Sequence, residues 1–115
     1  MEELVEDFDI VTYVFNTLKT LEIPVYFVSR NEVSPPLVIF NIHSERGYEF
    51  WDDKEQVVKY QVSVNIFTKG NFLKFKKQII NLMEAKGFIK HNIPSCIYQA
   101  DVGIYNQPMV FTFYK

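Results

Sequence analysis

Residues 57–69, VVKYQVSVNIFTK, constrain the fold of this chain more than any other stretch. Apolar and polar side chains alternate strictly along it, which is the pattern of a β-strand with one buried face. Its β-branched and aromatic residues suit a pleated surface. The strand stops at residues 69–71, KGN, and a helical pattern follows at once. We therefore expect a central strand with a helix folded back onto its apolar face. The residues expected on that face are Val58, Tyr60, Val62, Val64 and Ile66.

The helix that follows this strand is predicted over residues 72–86. Asn71 is a favourable N-cap residue. Gly87 suits the position after the last turn, and Phe88 is expected to fold back onto that turn as in a Schellman motif. The apolar residues recur at helical spacing and predict a buried stripe. Its expected members are Phe72, Leu73, Phe75, Ile79, Ile80, Leu82 and Met83.

An amphipathic helix is also predicted near the N-terminus, over residues 4–21. Asp7 or Asp9 could cap it. It should end at Ile23 because a residue before proline is pushed out of the helical region.

Four further strands complete the predicted fold. Residues 25–29 and 37–42 are expected to be short strands, and residues 96–104 and 109–114 are expected to form a closing hairpin joined through 105–108. Residues 89–95 are interpreted as a loop or edge segment, since Pro94 disfavours a central strand. The order α-β-β-β-α-β-β predicts a single α+β domain over 1–115. Its two layers would be a largely antiparallel sheet and two helices on one face.

Composition and charge narrow the function classes. The 115 residues include a single cysteine, and the net charge is −2. That charge argues against a general nucleic-acid binder, which needs a clustered basic surface, and no specific nucleic-acid binding is expected. No secretory signal or membrane-spanning stretch is predicted.

The charge is unevenly spread, with an acidic N-terminus and a basic second-helix region. The basic region is either a solvated helix face or an electrostatic docking surface. Its lysines are Lys69, Lys74, Lys76, Lys77, Lys86 and Lys90.

No catalytic, metal or cofactor site is expected from the residues. Cys96 with His43 or His91 could form a nucleophile and base, but nothing in the sequence indicates a lowered thiol pKa. The histidines with Asp52, Asp53 or Asp101 match no metal-ligand spacing. The four glycines are isolated, so no phosphate-binding loop is predicted.

Residues 44–56, SERGYEFWDDKEQ, form the long connection of the predicted central hairpin. In one interpretation its rings cover an end of the core. In the other they are anchors of a protein–protein interface, where such rings are enriched, with charges at the rim. The candidate interface residues are Tyr48, Phe50, Trp51, Asp52 and Asp53.

The order of these motifs resembles a known family: the tail-completion proteins of long-tailed bacteriophages, also called tail terminators or tail-to-head joining proteins. The resemblance covers nearly the whole chain. It begins with the N-terminal helix and IPVYF, and continues through PPLVIFNI, a charged aromatic segment ending in DD, and KYQVSVNIFTK. The helix FLKFKKQIINLMEAKGF and the closing ADVGIYNQPMVFTFYK follow. GIYNQPMVFTF is the most suggestive part, being similar to the family's final hairpin.

The resemblance implies an α+β fold and a structural, non-enzymatic role in the virion, at the tail or neck, for a protein made in the cytoplasm of the host bacterium. Members of the family assemble as a ring, commonly a hexamer, on the tail tube. They stop tube polymerisation and present a surface to the head–tail connector protein. The expected partners are therefore further copies of this chain, the tail tube protein and the connector. Two alternatives stay open: a head-completion or neck protein on the portal side, and a small-ligand or nucleic-acid-binding α+β module.

Overall fold

A computed structural model describes residues 8–28, 34–46 and 58–115, with residues 44–46 described by their backbone. Within these ranges the chain forms two α-helices and a six-stranded sheet, which is an α+β fold. A short 3₁₀ turn, Lys19–Leu21, extends the first helix. The elements are α1 Ile10–Leu18, β1 Val25–Phe27, β2 Leu37–Arg46, β3 Val58–Thr68, α2 Phe72–Ala85, β4 Ile89–Asn92, β5 Ile97–Gln99 and β6 Ile104–Tyr114.

The sheet is mostly antiparallel, and β3 lies at its centre, as predicted. The strand order is β1-β2-β3-β6-β4, and β5 also pairs with β6. Only β1 and β2 run parallel among the described strands. Because β4 pairs with residues 110–112 of β6 and β5 pairs with residues 104–106, both short strands lie along the same outer edge of β6.

Both helices pack on one face of the sheet, which confirms the predicted two-layer arrangement. Val62 and Val64 of β3 are completely buried in this layer, as the alternation predicted. Burying an aliphatic side chain of this size contributes about 1.5–3 kcal/mol relative to leaving it exposed. The core joins α1, α2 and the three long strands; its buried members are Ile10, Val14, Leu18, Val38, Phe40, Val62, Val64, Ile66, Ile79, Met83, Phe88, Met109 and Phe111.

The start of α1 is capped by Asp9, one of the two predicted caps. The Asp9 carboxylate accepts hydrogen bonds from the backbone N–H groups of Val11 and Thr12 and from the Thr12 hydroxyl, at 3.1, 3.2 and 2.7 Å. These bonds occupy donors that a helix start otherwise leaves unpaired. The predicted cap Asp7 and residues 4–6 of the predicted helix lie outside the described residues.

The end of α2 is the predicted Schellman motif. Gly87 has φ +94° and donates its N–H to Glu84, while Phe88 donates its N–H to Met83 at 3.1 Å. The Phe88 side chain is buried against the core. The start of α2 differs from expectation, because Asn71 has φ +58° and its side chain makes no capping hydrogen bond.

One member of the predicted buried stripe of α2 was placed on the wrong side. Leu73 is 62% exposed, whereas Ile79 and Met83 are completely buried. The next turn explains this, because the residues three and four positions after Leu73 are Lys76 and Lys77. Leu73 therefore lies on the charged side of the helix.

The closing hairpin was predicted with the wrong boundaries. Residues 105–108, predicted to be the connection, lie inside β6, and the turn falls at residues 100–103. Pro108 is compatible with this strand because it lies between the β6 residues that pair with β5 and those that pair with β4. Its missing N–H can face that unpaired part of the edge. The segment interpreted as a loop or edge contains an edge strand, β4, so the element order is α-β-β-β-α-β-β-β.

Two other strand ends also differ from the prediction. β1 ends at Phe27 rather than at residue 29, since Val28 has φ +75°, outside the extended region. β2 continues to Arg46 and keeps pairing with β3 as far as Val58. Residues 44–46 of the predicted connection therefore belong to β2, and residues 47–57 lie outside the described residues.

Candidate functional site

The five residues predicted as an interface, Tyr48, Phe50, Trp51, Asp52 and Asp53, lie outside the described residues. Their attachment points are described. Arg46 and Val58 are paired neighbours at the last rungs of β2 and β3. The segment that carries the predicted interface therefore leaves and re-enters the sheet at one end, which we call the hairpin end.

Aromatic side chains from α1, β3 and β6, and from the segments just before α1 and just after α2, pack together near the hairpin end. The Phe8 ring lies 5.9 Å from Tyr60 and 5.7 Å from Phe113, measured between ring centroids. Tyr13 stacks on Phe88 at 5.8 Å, and Phe88 lies 4.8 Å from Phe113. Such ring pairs stabilise by about 0.5–1.5 kcal/mol beyond their buried area. This end of the core is thus covered by rings of the described chain.

The opposite end of the sheet, which we call the α2 end, lies where β3 stops and α2 begins. Thr68 of β3 pairs there with Tyr105 of β6. The Tyr105 ring lies between two others, 5.1 Å from Phe72 and 4.7 Å from Tyr98. Beside this row is a groove of about 310 Å³, lined by Lys69, Gly70, Asn71, Phe72, Leu73 and Tyr105.

Six residues at this end form one surface that combines apolar and basic side chains; we call it the α2 patch. Leu73 is 62% and Tyr98 is 54% exposed. Lys69 and Lys77 are exposed on either side of Leu73. Large apolar side chains rimmed by charge are typical of a protein-binding surface. The α2 patch consists of Lys69, Phe72, Leu73, Lys77, Tyr98 and Tyr105.

The sequence interpretation recognised the lysines of this surface and missed its rings. It placed Phe72 and Leu73 in a buried stripe and Tyr105 in a turn. The rings of Tyr98 and Tyr105 meet because they are cross-strand partners of β5 and β6. The sequence does contain a signal that Leu73 is exposed: Lys69 and Lys77 lie four residues before and four residues after it.

A second concave surface lies on the sheet face that carries no helix. It is a cavity of about 400 Å³ between β2, β3 and the β5–β6 turn. Four of its six lining residues are apolar, and Asp101 contributes one carboxylate. The lining residues are Ile39, Phe67, Gln99, Asp101, Val102 and Ile104.

Cys96, which was considered from the sequence with His43 or His91 as a nucleophile and base, lies just before β5 and is partly exposed. Burial raises the pKa of the Cys96 thiol above its ordinary value, while a backbone hydrogen bond with Asn106 and the nearby Lys76 ammonium act in the opposite direction. A reactive cysteine requires the reverse shift, since the thiolate is the nucleophile. His43 lies exposed on β2 and His91 lies exposed on β4, on strands at different positions in the sheet.

Within residues 8–28, 34–46 and 58–115, no group of three or more His, Cys, Asp or Glu side chains is placed to hold a metal ion. Of the metal candidates considered, Asp52 and Asp53 lie outside these ranges, and Asp101 lines the cavity on the helix-free face. None of the helices in the described part of the chain has the length and apolar character needed to cross a membrane.

Comparison with known proteins gave no family assignment: no protein-family model matches this chain, and no curated protein matches it.

Proposed function

We propose that this chain is a structural protein of a long-tailed bacteriophage, and that it caps the tail tube as a ring. In this role it terminates tail polymerisation and provides the joint to the head–tail connector. Its partners are further copies of itself, the tail tube protein and the connector protein, and its location is the tail or neck of the virion. It performs no catalysis in this role.

The observation that carries the proposal is the order of motifs along nearly the whole chain. The α+β layout that the resemblance implies agrees with the described fold, in which two helices cover one face of a mostly antiparallel sheet. The most suggestive motif, GIYNQPMVFTF, which the resemblance compares with a final hairpin, forms a single strand here: it lies in β6 and the glycine before it.

The surfaces at the two ends of the sheet also support an assembling protein. The α2 patch exposes apolar side chains between lysines, which a monomer has no need to display. At the other end, rings of the described chain already cover the core, so Tyr48, Phe50 and Trp51 are not required for that purpose. This favours the anchor interpretation of those three rings.

Deletion of the gene in the phage that encodes it tests this role. Without a terminator, tail tubes should grow beyond their normal length and stay separate from filled heads. Purified protein added to such an extract should restore joining, and electron microscopy should place it at the head-proximal end of the tube.

The alternative of a neck protein on the portal side gives a different result. Tails would then have normal length, heads would lose their contents or their joining site, and the purified protein would bind heads instead of tubes. Normal virions from the deletion strain would contradict both virion roles and favour the ligand-binding module.

A further inference from the structure

The two charged and aromatic features of this chain lie at opposite ends of the sheet. Residues 47–57 attach at Arg46 and Val58, at the hairpin end, and the α2 patch surrounds Thr68, where β3 stops. β3 contains 11 residues. At about 3.4 Å per residue, its two ends are about 34 Å apart.

The chemistry of residues 47–57 complements that of the α2 patch. The segment contains Tyr48, Phe50 and Trp51 together with four carboxylates and one lysine, Lys54. The patch offers exposed apolar surface at Leu73 and Tyr98, with exposed lysines on both sides of Leu73. Rings would cover the apolar surface while carboxylates meet the lysines, which is the arrangement of an anchored interface with a charged rim. The four carboxylates belong to Glu49, Asp52, Asp53 and Glu55.

The segment is too short to reach the patch of its own chain. Residues 47–57 must leave from Arg46 and return to the adjacent Val58. A fully extended excursion of about half that length reaches about 20 Å. This is well short of the roughly 34 Å along β3. By this estimate the segment cannot cover the part of the patch beside Thr68 on its own chain, so a segment that covers it comes from a second copy.

We propose that residues 48–55 of one copy dock on the α2 patch of a neighbouring copy. The contact is heterologous, because each copy uses one end as donor and the opposite end as acceptor. Contacts of this kind generate a ring when the rotation between copies closes and an open filament when it does not. The inference rests on the proposed function for the ring, while the contact between copies is testable without tails.

Charge reversal at each end tests the contact. The patch variant is Lys69→Glu with Lys77→Glu, and the segment variant is Asp52→Lys with Asp53→Lys. Each variant alone should raise the dissociation constant of self-association, measured by sedimentation velocity, by roughly tenfold or more. An equimolar mixture should assemble again, because each reversed end then meets an opposite charge on the other variant.

A second pair of variants tests the direction of the contact. Leu73→Asp removes the acceptor surface, and Phe50→Ala with Trp51→Ala removes the donor anchors. Each should be monomeric alone, and their mixture should stop at a one-to-one dimer, because only one intact donor and one intact acceptor are present. Growth of the mixture beyond dimers would contradict a head-to-tail contact.

Matched controls keep the result specific. Lys86→Glu with Lys90→Glu makes the same change of net charge at exposed lysines outside the patch. Glu3→Lys with Glu6→Lys reverses another acidic stretch of the chain. Both control variants should assemble as the parent does. Assembly lost equally in the controls, or a parent protein that stays monomeric up to about 1 mM, would overturn the proposal.

Two further outcomes separate this contact from other roles. If the charge variants lose self-association and the parent forms no contact with tails, the proposed function fails and the contact stands. If the charge variants self-associate like the parent and the parent binds tails, the contact is wrong and the proposed function stands. Anisotropy with a single-stranded DNA of about 20 nucleotides tests the remaining class of partner. Loss of DNA binding in the patch variant, with self-association unchanged, would overturn the proposal.

Discussion

The phenol of Tyr13 on α1 donates a hydrogen bond of 2.7 Å to the backbone carbonyl of Lys86, just after the last residue of α2. The bond joins the two helices across 73 residues of sequence. It also occupies a carbonyl that the end of α2 would otherwise leave to solvent. The two helices are therefore linked at their ends as well as through the core.

Removing this bond should destabilise the fold modestly. Tyr13→Phe keeps the ring that stacks on Phe88 and deletes only the hydroxyl. Because a neutral hydrogen bond contributes about 0.5–1.5 kcal/mol net, we expect the free energy of unfolding to fall by roughly 1 kcal/mol. Urea denaturation of the parent and the variant measures this change in the free energy of unfolding. Tyr26→Phe is the control, and an equal loss there would show that the effect is not due to the link between the helices.

A charge placed at the centre of β3 should unfold the domain. Val62 is completely buried beneath the helices, and Val62→Asp would place an unpaired carboxylate there. The cost is several kcal/mol, which is comparable to the total stability of a small domain. Gln61→Asp is the control, because residue 61 is the neighbouring position on the helix-free face. A Val62→Asp protein that is soluble and melts cooperatively would contradict the assigned face of β3.

The Asp9 cap predicts a pH dependence of stability. Hydrogen bonds from the Thr12 hydroxyl and then the Thr12 N–H hold the pKa of Asp9 below its ordinary value, against an opposing effect of burial. A depressed folded-state pKa means that the stabilisation is present above the unfolded pKa and is lost as the pH falls through the folded one. Asp9→Ala should therefore lower the melting temperature at neutral pH. The difference from the parent should shrink below about pH 4. A difference that is constant from neutral to strongly acidic pH would exclude the carboxylate as its cause.

Cys96 is expected to have no chemical role. Its thiol is partly exposed, and burial raises its pKa. Cys96→Ala should change the free energy of unfolding by roughly 1 kcal/mol or less and leave tail joining intact. Loss of joining by a Cys96→Ala protein that melts like the parent would restore the catalytic or metal interpretation.

The parts of the fold that the sequence predicted are those in which local pattern and tertiary contact agree. The alternation in β3, the helix-ending Gly87-Phe88 pair and the Asp9 cap are each specified by residues close together in the sequence, and each is present. The errors fall where tertiary pairing decides. Residues 105–108 have turn-forming types, yet β3 supplies partners that extend β6 through them.

The candidate site could be predicted only in part for the same reason. Lysines near the start of α2 are visible in the sequence. The row of Phe72, Tyr105 and Tyr98 joins residues from α2, β6 and β5. The contact between Tyr98 and Tyr105 depends on the pairing of β5 with β6. The distance between the hairpin end and the α2 end likewise follows from the register of β3. Neither can be obtained from local spacing.

The last prediction concerns the rings of the predicted interface. Phe50→Ala combined with Trp51→Ala should leave a folded domain and block ring formation and tail joining. The described rings of Phe8, Tyr60 and Phe113 already cover the hairpin end of the core, so truncation should have little effect on stability. At an interface, by contrast, large aromatic anchors carry most of the binding free energy, with losses of about 2 kcal/mol or more for each anchor.

Circular dichroism and a thermal melt measure the fold of this double variant, and a head–tail complementation assay with electron microscopy of the tails measures its function. Tyr48→Phe is a suitable control because it keeps an anchor-sized ring in the same segment. A double variant that melts like the parent and still joins tails would remove Phe50 and Trp51 from the interface. A variant that fails to fold would instead favour the interpretation in which these rings cover an end of the core.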